Sequence, residues 1–149
     1  MPLQIDRDVT EGLTIFRLKG RLVFGEEASN LQDSIEDAIA AGHIRLILDL
    51  KEVPYIDSTG LGVLVLGHAT AQKANGGVRL LHLSQRHLQL LVLTKLTAVF
   101  QIYDDENAAI DSFFPERAVK PFDILEFVKS QEDQPEPLGS EPPKPGSSS

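Results

Sequence analysis

Residues 53–62, Val53-Pro54-Tyr55-Ile56-Asp57-Ser58-Thr59-Gly60-Leu61-Gly62, hold the densest set of groups able to do chemistry. A carboxylate, two hydroxyls and two glycines stand between an apolar run and a long apolar segment. Ser58 and Thr59 fall where a helix wants a capping hydroxyl, because the first turn leaves backbone N–H groups unpaired. Asp57 places negative charge near the positive end of the helix dipole. Gly60 and Gly62 permit close backbone approach. On local chemistry alone two readings stand together: a well-made helix start, or a hydroxyl held at a functional edge.

Enzymatic uses of the segment fit less well. A serine nucleophile on a strand-to-helix elbow takes glycine two residues before and two after, whereas Ile56 precedes Ser58 and Gly60 follows it. A phosphate-cradling loop needs Gly-Lys-Ser/Thr after a longer glycine-rich stretch, and none is present. A phospho-accepting Asp57 would need an acidic pair after the first strand, where Lys19-Gly20-Arg21 stands instead. His43, His68, His82 and His87 lack metal-ligand spacing and read as solvated or core-edge residues. Asp104-Asp105-Glu106 is a fragment of a calcium loop at best, and reads better as negative charge opening a helix.

The elements that must position Asp57 and Ser58 follow from two alternating periods. Leu3, Ile5 and Val9 predict a weak first strand, and residues 13–18 a stronger one ended by Gly20. Ala28, Leu31, Ile35, Ala38 and Ile39 recur at helical spacing over residues 26–41, with Gly42 as the stop. Residues 44–50 form the nearly continuous apolar run of a central strand. A second helix is predicted from Leu61 to Ala74, closed by Asn75-Gly76-Gly77. A strand at 78–81, a helix capped by Ser84 and running to about Leu93, a strand at 100–103 and a helix at 105–114 complete the series. The predicted fold is α/β: one domain with a mixed sheet of four to five strands and about four helices packed against it.

Within the second helix, Leu61, Leu64, Val65 and His68 share one side, and Val63, Leu66, Gly67 and Thr70 another. Val63 and Leu66 are therefore either exposed beside Ser58 as a partner surface or covered by a neighbouring element.

The 149 residues fit a single domain able to bury a core without staples. The absence of cysteine excludes disulfides, thiolate metal sites and cysteine nucleophiles. Fourteen Lys+Arg against 22 Asp+Glu, a net charge of -8, argue against direct nucleic-acid binding. No apolar run reaches a membrane span and the charged start is unlike a signal peptide, so a cytoplasmic location without membrane insertion is expected. The domain is expected over residues 1–115, with an extra C-terminal helix over 116–130, its apolar stripe Phe122, Leu125 and Val128. Residues 131–149, with five of the nine prolines, read as a disordered Pro/Ser/Glu-rich tail.

The run Leu46-Ile47-Leu48-Asp49-Leu50, Val53 and Ile56-Asp57-Ser58-Thr59-Gly60-Leu61-Gly62 resembles the core signature of the STAS domain, and more narrowly that of bacterial anti-sigma-factor antagonists. Leu18-Lys19-Gly20-Arg21-Leu22, Asn75-Gly76-Gly77-Val78-Arg79-Leu80, Leu93-Thr94-Lys95-Leu96 with Val99-Phe100, and Tyr103, Glu106 and Ala109 extend the likeness over about residues 3–114. The resemblance implies a protein that is not an enzyme and carries no cofactor. Such antagonists bind an anti-sigma factor that is also a serine protein kinase, and so release a sigma factor to direct transcription. The kinase binds ATP and phosphorylates the first hydroxyl after the motif Asp, here Ser58, with Thr59 the secondary candidate; a phosphatase reverses the step. The implied partner surface is Asp57, Ser58, Thr59, Gly60, Leu61, Gly62, Val63 and Leu66. One departure is clear: the Asp that family members often carry after the Gly-Glu/Arg-Leu turn is replaced by Val23, followed by Phe24-Gly25. The alternative is a constitutive STAS scaffold in a signalling assembly or a transporter-associated complex. A hydrolase using Ser58 is a third reading, and it requires a base within hydrogen-bond reach.

Overall fold

A computed structural model describes residues 2–117. Its elements run β1 (Gln4–Thr10), β2 (Leu13–Lys19), α1 (Glu26–Ala40), β3 (Arg45–Glu52), α2 (Ser58–Lys73), β4 (Gly77–Leu81), α3 (Gln85–Leu93), β5 (Gln101–Tyr103) and α4 (Glu106–Asp111). The sheet order is β1-β2-β3-β4-β5. Only β1 pairs antiparallel, through a tight turn onto β2; the other pairs are parallel and each is joined through a helix. This is the mixed five-strand sheet with four helices that the two alternating periods predict. The expected helix at 116–130 and the tail at 131–149 lie almost wholly outside the described residues.

Period-two alternation sorts the strands between two cores. Phe16, Leu18, Leu46, Leu48, Leu50, Val78, Leu80 and Ile102 point to one face, where α1, α2 and α3 pack. Leu13, Ile15, Ile47, Leu81 and Tyr103 point to the other, covered by Ala109 and Ile110 of α4 with Phe113 and Phe114. The near-continuous apolar run of β3 is explained by burial on both faces. No helix among the described residues is long and apolar enough to cross a membrane.

The two readings of the second side of α2 divide between its residues: Val63 is covered and Leu66 is not. Val63 is buried, and so is Gly67 one turn on, where an added Cβ would sit 3.1 Å from Ile35 Cδ1 of α1. The second side of α2 is thus closed by α1, and Leu66 is the residue left outward, 46% exposed. A helix apolar on nearly every side carries no periodic signal to separate these two positions.

Candidate functional site

Past the ends of β2 and β3 the two segments stay together through a second, irregular pairing. Residues 20–24 run beside 52–57: Gly20 N donates to Glu52 O (3.1 Å), Leu22 N to Tyr55 O (3.0 Å) and Asp57 N to Leu22 O (3.2 Å). Leu22 and Ile56 form an isolated parallel bridge. This zipper places Phe24 beside the start of α2, although 33 residues separate it from Asp57.

Helix α2 begins at Ser58, three residues earlier than the hydrophobic pattern suggests, and its N-cap is Asp57 rather than a hydroxyl residue. Asp57 Oδ1 accepts from Gly60 N (2.8 Å) and its Oδ2 from Phe24 N (2.9 Å). One carboxylate thus caps the helix and ties down the preceding loop. Partial desolvation pushes this carboxyl up, but the amides of Gly60, Phe24 and Thr59 outweigh it and hold it below the ordinary carboxylate range. Ser58 occupies the first helical position, so its hydroxyl is not spent on capping. The side chain is exposed, and its Oγ has no hydrogen-bond partner among the described residues.

Gly60 is required by space. A Cβ there would lie 2.3 Å from Leu22 O and 2.8 Å from Leu22 Cγ. Gly62 is different: nothing stands within 4 Å of its virtual Cβ, so close approach is not its role in the isolated chain. Among the residues expected to meet a partner, Ser58, Thr59, Gly62 and Leu66 are exposed and Asp57 is half-buried. Gly60, Leu61 and Val63 are buried and support the surface from beneath.

Two features of the site lay outside the sequence reading. Phe24 is 76% exposed and Tyr55 is 41% exposed, with the Arg21 guanidinium 5.5 Å from the Tyr55 ring centroid. Together with Leu66 they add apolar area around Ser58. The second feature is a cleft of about 350 Å³ between the starts of α2 and α3, whose walls include Asp57, Ser58, Arg86 and His87. Its only sequence signal is that Ser84 caps α3, which puts Arg86 and His87 in that helix's first turn.

His87 shares a cleft with Ser58, which bears on the hydrolase reading. Its Nδ1 accepts from Ser84 N (3.2 Å), while Ser84 Oγ accepts from His87 N (3.1 Å), a reciprocal cap. Burial pushes the imidazole down; the Val53 carbonyl acts against this and the Arg86 charge with it, leaving the ring neutral. A neutral ring accepting at Nδ1 carries its proton on Nε2 and has no lone pair to offer Ser58. His68 is likewise structural, its Nδ1 accepting from Val78 N (3.2 Å) in the core. Both residues lie deeper than the core-edge placement expected of them, at 7% exposed for His68 and 3% for His87. No cluster among the described residues could hold a metal ion, and Asp105 serves as the cap of α4, accepting from Ala108 N (2.9 Å).

Comparisons with known proteins bear on the family and the fold. The model of the STAS domain family matches residues 4–109. The anti-sigma F factor antagonist of Paenibacillus polymyxa is 27% identical over 111 residues, covering 74% of this chain and 94% of that protein. The anti-sigma-B factor antagonist of Listeria monocytogenes is 29% identical over 109 residues, covering 70% and 90%. Among solved structures, the Bacillus cell fate determinant SpoIIAA in its phosphorylated form superposes with a TM-score of 0.58 at 22% identity, covering 74% of this chain and 97% of that one.

Proposed function

The chain belongs to the STAS domain family, and on that premise we propose that it is an anti-sigma factor antagonist switched by phosphorylation of Ser58. In the unphosphorylated form it docks, through the start of α2, on an anti-sigma factor that is also a serine kinase, and the sigma factor is released. The observation that carries this reading is the free, exposed Ser58 hydroxyl at the first position of a helix whose cap is already supplied by Asp57. A hydroxyl spent on capping would have to leave its amide to react; this one does not.

The chemistry is a phosphoryl transfer in which this chain is the acceptor. Ser58 Oγ attacks the γ-phosphorus of ATP held by the partner. The Oγ–P bond forms as the bond to the β-phosphate oxygen breaks, ADP leaves, and the hydroxyl proton passes to a base on the partner. A phosphatase hydrolyses the ester. The phosphate adds about -1.5 to -2 charge. The fold tolerates it, because anions are stabilised at helix N-termini. A docked surface does not, since the added bulk and a second anion beside Asp57 would have to be stripped of water against the partner. Weakening the complex about 1000-fold takes only about 4 kcal/mol. Residues 1–115 are proposed as the functional unit.

A pull-down with wild-type, Ser58→Ala and Ser58→Asp baits tests the proposal. The expected outcome is one ATP-binding protein retained by the first two and lost from the third, with the Ser58→Asp chain still folded. Phosphate found by mass spectrometry on another residue, with labelling unchanged in Ser58→Ala, would refute the site. Retention by all three baits of a membrane complex or a large assembly would favour the scaffold reading.

A further inference from the structure

Resting on phosphorylation at Ser58, we propose that Arg86 captures the phosphoryl group, making the cleft between the starts of α2 and α3 a seat for the Ser58 phosphate on the chain's own surface. The argument begins from the arginines. Arg17 pairs with Asp8, Asp49 and Glu106, and Arg117 with Glu11 and Asp111. Arg79 donates to Ser112 and lies over Phe113, and Arg7 donates to Ser34 O and lies over Phe16. Arg21 and Arg45 lie over Tyr55 and Phe114. Among the described residues, Arg86 alone of the arginines has no ion pair, hydrogen bond or ring partner, and it lines the cleft that Ser58 lines.

Among the described residues, no group competes for Arg86. Asp57 is the carboxylate of the cleft, and both its oxygens already accept backbone amides. His87 is neutral and its Nε2 is buried, so it offers Arg86 no anion. Tyr55 is engaged by Arg21. The cleft therefore holds an unpaired cation and a modifiable hydroxyl, with no free anion among its lining residues. A phosphate on Ser58 supplies the anion. The planar guanidinium matches its oxygens with two parallel N–H donors, a fit that a lysine can replace only as a point charge. The consequence is that phosphorylation removes two things from a docked partner, the hydroxyl and the free charge of Arg86.

The test uses the full chain with phosphoserine incorporated at position 58 during translation, and follows the phosphate by 31P NMR as pH is varied. The second phosphate ionisation is expected at least about half a pH unit lower with Arg86 than in Arg86→Ala, with Arg86→Lys between them. The difference should shrink in about 1 M salt, where exposed charges are screened within about 3 Å. Equal values with Arg86 and in Arg86→Ala overturn the proposal, whether both are low or both ordinary. Arg86 is exposed, so these variants leave the core untouched. No kinase enters the measurement. A chain that releases its partner on phosphorylation but shows equal values fails this inference alone; one that shows the difference but meets no kinase fails the functional reading alone.

Discussion

Two aspartates, one within β3 and one capping α2, make opposite use of their surroundings. Asp49, 8% exposed on β3, is wholly spent within the fold: Oδ2 takes Arg17 Nη1 (3.0 Å), while Oδ1 takes Lys51 N (3.1 Å) and pairs with His82 Nδ1 (2.9 Å). Arg17 also grips Asp8 (2.6 Å) and Glu106 (2.9 Å), so the cluster ties β1, β2 and β3 to the start of α4. Burial pushes the Asp49 carboxyl up, but His82, the Lys51 amide and Arg17 together hold it low. Asp57 is held low by backbone amides alone, and the polar groups around it, Ser58 and Arg86, stay unpaired. A cluster that satisfies itself is architecture. One that fixes a backbone and leaves hydroxyl, cation and ring unsatisfied presents them to something else.

That contrast is open to breakage in several places. The largest effect is expected where the Asp57 side is rigid: Gly60→Val drives side-chain atoms into Leu22 and should cost roughly 3 kcal/mol or more in urea unfolding. A loss under about 1 kcal/mol would mean the 20–24 zipper is loose. Next, Asp49→Ala should cost about 2 kcal/mol, discounted because Arg17 is partly solvated, and leave partner retention intact. Asp57→Ala should cost only about 1 kcal/mol, the value of a cap, yet abolish retention. The reverse pattern would exchange the roles of the two carboxylates.

Acid titration sharpens the comparison further. Burial lowers His68 and His87, with Arg79 adding at His68 and Arg86 at His87 against the Val53 carbonyl. The unfolded histidines take protons near pH 6.5 while the folded ones do not, so their contribution is present above that pH and lost as pH falls. Asp49 and Asp57 are held below their ordinary value, so their contribution is present above about pH 4 and lost below it as each is protonated. Urea unfolding from pH 7.5 to 3.5 should therefore weaken in two stages, by at most about 1.4 kcal/mol per pH unit per proton. Constant stability down to pH 5 would show the histidines to be hydrated. The smallest effect is Phe24→Ala: stability should move by less than about 0.5 kcal/mol, while partner affinity falls about tenfold in a binding titration. Unchanged affinity would remove Phe24 from the surface.

Much of this was legible along the chain because it is written in local chemistry. The apolar run of β3, the helical spacing of α1, the Ser84 cap and the Asp-Ser-Thr-Gly junction each depend on neighbours within a few residues. Cap identity is not legible in the same way, because Asp57 and Ser58 are both good caps and a single residue of phase decides which one is used. The burial of Val63 was undecidable for the reason that also buries it: α2 is apolar all round because both α1 and the sheet press on it.

By itself, the sequence determined that a strand, a short polar junction and an apolar helix follow one another, and that Ser58 stands at the junction. Backbone propensity and side-chain period act over a turn or two, and those suffice for it. Only the tertiary structure decided that Phe24 reaches Asp57, that Arg17 closes on Asp49, and that Arg86 faces the cleft of Ser58. These meetings join residues far apart in the chain, and they exist only once parallel strands are laid side by side in register and helices are packed over them.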